Sequence, residues 1–279
     1  MLTSLNIIAP EYKNAFAGAI GRLRGDSITE EITRGAVGLR RITYIKRGAE
    51  PKPNKLYKRL GKNAVVLCSE STRLPEGITR FCSDSFSGRL CVNMALETLR
   101  RLDSPEELRL GIYDPEAAEA DFLFEALKLC RSPVAVTCDI LPYDRIRRLA
   151  LEQLGASAMI TRNTRELGDC DLIVAPTRIC VPLPIKRSAV VLTAGAPYVG
   201  LSGRIYGSYE PILPEPLERL RPPELGAEYF GSALYTLCGM FRLGSLVPTG
   251  CVSLDGRDRQ TVESLRNLLD ITNKKAYNS

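Results

Sequence analysis

The sequence predicts an α/β protein whose core is a parallel sheet with helices on both faces. Two observations predict it. Five short apolar runs, LRLGIYD, PVAVTCD, SAMIT, DLIVAP and AVVLTA, succeed one another between Leu108 and Pro197. Helical stretches separate the early ones: the first from Pro115 to Cys130, the second from about Pro142 to Leu154, stopping at Gly155. Strands alternating with helices build a parallel sheet.

The 279 residues suggest about two domains. We expect an amino-terminal α/β domain over residues 1–103, to which the last helix returns, and a second domain over 104–279. In the first, SLNIIA reads as a strand, Tyr12–Leu23 as a helix, and Ala36–Lys46 as a basic edge strand followed by a proline-containing loop. Ala64–Cys68 and Ile78–Cys82 read as further strands. A helix covers SDSFSGRLCVNMALETLRRL, with Cys91, Met94, Ala95, Leu99 and Leu102 on one face. Ser85 or Ser87 can cap it, and Gly88 and Arg89 fall in its first turn. Such an end is either an ordinary cap or an anion site.

Composition narrows the function. A hydrophobic fraction of 44% with 25% charge is that of a globular protein, and no apolar stretch reaches the length of a membrane span. The amino terminus lacks a basic region ahead of its apolar run, so no secretory signal is expected. Nine cysteines, an odd number with no C-x-x-C pair, fit buried thiols in a reducing cytoplasm, with no metal site. The absence of histidine removes the commonest general base and metal ligand. Lys186 and Tyr206 remain as acid/base groups, and Cys68 or Cys82 as a nucleophile. Residues 34–62 hold ten Lys or Arg against Glu50 alone, in a chain of formal charge +6. That stretch fits a solvated basic edge better than a nucleic-acid site, because no aromatic-interleaved RNA motif accompanies it.

A dinucleotide site on such a sheet normally carries G-x-G-x-x-G at the first strand-to-helix turn. Here that turn is Gly111-Ile-Tyr-Asp-Pro-Glu-Ala117, whose one glycine lies inside the strand. Asp114 is placed as the N-cap and Pro115 as the first helical residue. Glu116, Glu119 and Asp121 add charge that suits the helix end and repels a pyrophosphate. Asp139 ends the second strand, where a ribose-binding acid would sit or a helix cap would serve.

The stretch from Asp171 through TRICVPLPIKRSAVVLTAGAP resembles the corresponding region of amino-acid-type and shikimate-type dehydrogenases, glutamyl-tRNA reductase and methylenetetrahydrofolate dehydrogenase. The resemblance spans Leu108–Pro197, about a third of the chain. It implies a Rossmann-like domain with NAD or NADP at the sheet's carboxyl edge, Thr177 and Gly195 standing beside the nicotinamide. The Asp114-Pro115-Glu116 turn weighs against that cofactor.

The glycine- and tyrosine-rich stretch after Pro197 reads as a long loop, bringing Arg204 to the same cleft. Ser87 and Arg89 face it from the first domain. Cys251–Gly256 reads as a short strand or turn, and Arg257–Ile271 as a closing amphipathic helix ahead of a mobile tail. The expected protein is therefore Rossmann-like, with a modified or lost dinucleotide site that binds a small anionic metabolite or a protein partner. The alternative is an active NAD(P)-dependent oxidoreductase. A homo-oligomer is among the arrangements the sequence allows.

Overall fold

The computed structural model describes residues 1–10, 25–48 and 50–276. The helix expected over Tyr12–Leu23 lies outside the described residues. The chain divides into two compact units, Met1–Ser83 with Leu213–Met240, and Asp84–Ile212 with Phe241–Ser279. The expected boundary at Asp103 falls inside the second unit. The stretch that returns to the first is Leu213–Met240 rather than the closing helix.

In the first unit, β1 (Leu2–Ile8), β2 (Ser27–Thr33) and β3 (Leu39–Ile45) form a sheet of order β1-β3-β2. β3 is parallel to β1 and antiparallel to β2. The basic strand is thus central and not an edge. Leu39, Ile42 and Tyr44 enter the core, and the arginines between them find carboxylates: Arg40 pairs with Glu30 and Arg41 with Glu224. The proline-containing loop gives way to a helix, α1 (Pro53–Leu60). It starts on proline, places Lys58 and Arg59 in its last turn and buries only Leu56. Val65–Val66 (β4) and Thr79–Arg80 (β5) form a short parallel pair. Leu5, Ile42, Leu56, Val66 and Ile78 meet in one apolar cluster. Glu215–Glu218 (α5) and Ala227–Cys238 (α6) complete the unit.

The second unit holds an eight-stranded sheet. Its parallel strands are β6 (Leu110–Tyr113), β7 (Val134–Val136), β8 (Met159–Thr161), β9 (Leu172–Ala175), β10 (Val190–Thr193) and β11 (Arg204–Tyr209). Across the sheet they run β8-β7-β6-β9-β10-β11. Counted from β6, that is 3-2-1-4-5-6, the strand order of the Rossmann fold. β12 (Cys251–Ser253) and β13 (Arg259–Gln260) extend the sheet antiparallel.

β6, β9 and β10 are buried at every position, which is why they read as unbroken apolar runs. Ile173, Ala175 and Val191 pack with Leu167, Ile179, Leu183 and Ile185. Helices α2 (Ser85–Arg101), α3 (Asp121–Leu127), α4 (Ile140–Leu154) and α7 (Val262–Ala276) belong to this unit, and α2 packs along β9, β10 and β11. Gly155 closes α4 in a left-handed conformation, as the sequence predicts. The closing helix starts later than expected and takes in part of the expected tail. Among the described residues no helix is long and apolar enough to cross a membrane.

β11 corrects the expected loop. Gly203, just before it, and Gly207, within it, permit close approach of neighbouring backbone. A Cβ on Gly207 would lie 2.9 Å from the carbonyl oxygen of Gly195. Tyr206 and Tyr209 are both buried.

Candidate functional site: the sheet's carboxyl edge

The strand order reverses between β6 and β9, and open sheets of this kind bind ligands outside the carboxyl ends at that point. Asp114 follows β6 there and is fully buried. It does not cap a helix. Its carboxylate accepts the backbone N–H groups of Ala118 at 3.0 Å and Glu119 at 2.9 Å, and the Tyr143 hydroxyl donates to it at 3.0 Å. Ala117 has φ +53°, a left-handed conformation that breaks any helix begun at Pro115, so α3 starts only at Asp121. Burial raises the pKa of Asp114, against the lowering effect of its three donors. The turn is thus folded around a carboxylate where the glycine-rich turn would open toward a pyrophosphate.

The first turns of α2 stand against this point. Asp84 occupies the N-cap position with no side-chain cap bond, so neither Ser85 nor Ser87 is the cap; both lie inside the helix. At Gly88 the helix touches the end of β9. A Cβ there would sit 2.3 Å from the carbonyl oxygen of Pro176. One turn on, Cys91 lies 3.8 Å from the carbonyl of Ala175. Arg89 reaches Glu119 at 2.8 Å and Asp121 at 3.3 Å. Its side chain is 11% exposed and that of Glu119 4%. Ser87 and Arg89 therefore belong to the same unit as the sheet and do not face it from the first domain. The Arg89 charge is matched from within.

The other expected residues scatter. Asp139 holds the N-cap position of α4, exposed at the end of β7, and makes no cap bond. Thr177 and Thr193 follow or end β9 and β10, each with a buried hydroxyl that has no hydrogen-bond partner among the described residues. Gly195 has φ +83° and donates its N–H to the Gly207 carbonyl. Asp114, Asp139, Thr177 and Gly195 thus share the carboxyl edge. Arg204 does not. It begins β11 and pairs in parallel register with Val190, the first residue of β10. That places it at the amino edge, about 10 Å of strand away.

Of the acid/base candidates, Lys186 is bound to Asp171 at 2.5 Å. Tyr206 donates to Asp258 at 2.6 Å, and burial and that carboxylate raise its pKa. Cys68 is buried beside Arg80 and Cys82 is exposed, both in the first unit. Among the described residues no group of three or more Cys, Asp or Glu is arranged to hold a metal.

Two arginines at this edge escaped the sequence reading. Arg178 donates to the Tyr198 hydroxyl and to the Ala196 carbonyl, each at 2.7 Å, and lies over the Tyr198 ring. It clamps the loops after β9 and β10. Arg162 donates to the Cys138 carbonyl at 3.3 Å. Each follows closely on a strand's end, the one signal that could have found them.

A dinucleotide would need its pyrophosphate over the β6 turn. Asp114 is buried there, Glu119 is locked to Arg89, and the helix above lies in contact with Pro176. These residues do not fit the group.

No family model and no curated protein matches the chain. Among solved structures it is similar to a lysine cyclodeaminase, at 16% identity and a TM-score of 0.28 over 62% of this chain and 57% of that one. It thus spans little more than half the length of that protein. It is also similar to Thermococcus litoralis Δ1-pyrroline-2-carboxylate reductase in complex with NADH and L-proline. There the identity is 10% and the TM-score 0.29, over 73% of this chain and 69% of that one. L-Tryptophan dehydrogenase from Nostoc punctiforme matches over 100% of this chain and 89% of its own, at 9% identity and a TM-score of 0.32. Similarities at this level identify no family. The strand order and the edge geometry define the class: a Rossmann-order α/β protein whose switch point is filled by its own residues.

Proposed function

We propose that the protein is a Rossmann-type scaffold that takes no NAD or NADP and serves as a cytoplasmic binding protein for a small anionic metabolite. The single observation that carries this is the junction of Arg89 with Glu119 and Asp121 across the switch point, beside the buried carboxylate of Asp114. A pyrophosphate brought there would meet like charge, and the Arg89 guanidinium is already paired. The sequence resemblance of Leu108–Pro197 to shikimate-type dehydrogenases supports descent from a cofactor-binding ancestor. Fold alone does not preserve the activity.

The second reading, an active oxidoreductase, is favoured by the unpartnered hydroxyls of Thr177 and Thr193 at the ends of adjacent strands. A buried hydroxyl without a partner is costly and suits a site completed by a ligand. Nucleic-acid binding through residues 34–62 has weaker support, because Arg40, Arg41 and Arg59 pair with Glu30 or Glu224.

A thermal-shift titration with NAD⁺, NADH, NADP⁺ and NADPH separates the first two. A ligand that binds the folded state adds RT ln(1 + [L]/Kd) to its stability. The first reading expects no shift at millimolar dinucleotide. A saturable shift with any of the four favours the oxidoreductase.

A further inference from the structure

The first unit contains a groove of about 750 Å³, well away in sequence from the switch point. Lys46, Glu50, Pro51 and Pro53 form one wall, Ser71 to Glu76 the other, and Ile7 of β1 also lines it. We propose that this groove binds a small organic anion with one oxyanion head and an apolar body. The site goes beyond the closed crevice and does not depend on it, although it rests on the reading of the protein as a small-anion binder.

Both walls are held in place by polar contacts, most of them buried or half-buried, so the groove is formed before a ligand arrives. On one side the Tyr44 hydroxyl donates to Asp26 at 2.6 Å and accepts the Lys52 N–H at 2.9 Å. The Arg47 N–H and the Lys55 ammonium also bind Asp26, at 2.8 and 2.6 Å. These contacts fix the strand's exit and the start of α1. On the other side the Arg80 guanidinium donates to the carbonyls of Ser69 at 2.7 Å, Glu70 at 2.6 Å and Thr72 at 3.4 Å. The loop curls around one cation, and Ser71, Thr72 and Arg73 line the groove. Tyr57 ties down the carbonyl of Glu76. Preorganised walls reduce the ordering cost of binding.

The lining sets the ligand class. Lys46 and Arg73 supply positive charge, and Ser71 and Thr72 supply hydroxyl donors. These suit a carboxylate or a phosphate monoester. Ile7, Leu74, Pro51, Pro53 and Pro75 supply apolar surface for the rest of the molecule. Glu50 and Glu76 also line the groove, so its formal charge is zero. A polyphosphate would meet two carboxylates for its two cations, whereas a single anionic head needs only Lys46 and Arg73 as partners. The volume lies in the range of sites for metabolite-sized ligands.

The test is a thermal-shift and calorimetric titration of the full chain with benzoate, phenyl phosphate, inorganic phosphate and ATP. Benzoate or phenyl phosphate is expected to bind saturably, and the tighter of the two names the head group. Inorganic phosphate and ATP should bind more weakly than that probe. Arg73→Gln and Lys46→Gln should each weaken it about tenfold or more, the effect of removing one charged hydrogen-bond partner. Arg204→Gln should leave it unchanged. Arg73 is exposed and makes no ion pair among the described residues, so Arg73→Gln decides alone should Lys46→Gln fail to fold. Absence of saturable binding by benzoate and phenyl phosphate overturns the proposal, as does binding that survives Arg73→Gln. A dinucleotide bound at the switch point would shift Arg73→Gln as it shifts the wild type, so failure of the closed-crevice reading is distinguishable.

Discussion

Arg89 and Glu119 lie 2.8 Å apart, both almost wholly buried, and join the first turns of α2 to the turn that follows β6. The pair lies at the point at which a Rossmann sheet ordinarily receives its cofactor. Removing one partner of a buried pair strands the other charge. Arg89→Met should therefore destabilise the protein by about 3–5 kcal/mol in urea denaturation. Replacing Glu119 by Leu in the same chain should recover most of the loss. A single substitution with no effect would mean that the pair does not hold the junction.

Gly88 is the second close contact at this point. A methyl group there meets the Pro176 carbonyl at 2.3 Å, and neither atom is the end of a flexible side chain. Gly88→Ala should lower stability by about 1–3 kcal/mol, the usual range for overpacking. Equilibrium unfolding of the variant checks this, and an unchanged midpoint would show that helix and strand end are not in contact.

Asp114 makes a pH prediction. Burial raises its pKa above the ordinary value of 3.8, so the folded state binds its proton more tightly than the unfolded chain does. The stability it contributes is complete below pH 3.8 and falls as the pH rises through the folded pKa. Asp114→Asn loses an acceptor at every pH but does not titrate. The stability of wild type relative to Asp114→Asn should therefore decline upward from about pH 4 and then level off. Urea midpoints of both proteins between pH 3 and 7 measure it; a difference that grows with pH would reverse the assignment.

The cysteines test burial across the whole fold. Cys82, Cys138 and Cys180 are exposed, whereas Cys68, Cys91, Cys130, Cys170 and Cys251 are buried. Burial pushes the thiols of Cys91, Cys130 and Cys251 up to about 12 and that of Cys170 to about 11. A thiol-specific reagent at pH 8 should label the three exposed residues first, Cys238 more slowly, and the buried five only after unfolding. Peptide mapping of the labelled protein reads this directly.

Much of the second unit was legible because β6, β9 and β10 are buried on both faces and therefore apolar along their length. β11 was not, because Gly203 and Gly207 read as flexibility when they serve close packing. That one error also misplaced Arg204: a residue in a loop can reach the cleft, whereas the first residue of a parallel strand stands at the opposite edge. β2 and α1 escaped because β2 is a mostly exposed edge strand and α1 buries a single side chain. The closed turn was visible in its carboxylates. Arg89 was legible as a residue facing the cleft, but its pairing with Glu119 was not, because the two lie 30 residues apart and no periodicity links them.

The most direct measurement is a calorimetric titration of the full chain with NADH and NADPH. A crevice held by Asp114, Arg89 and Glu119 should give no binding heat at millimolar nucleotide. Saturable one-to-one binding would contradict the closed switch point, and it would return Thr177 and Gly195 to the place of cofactor ligands.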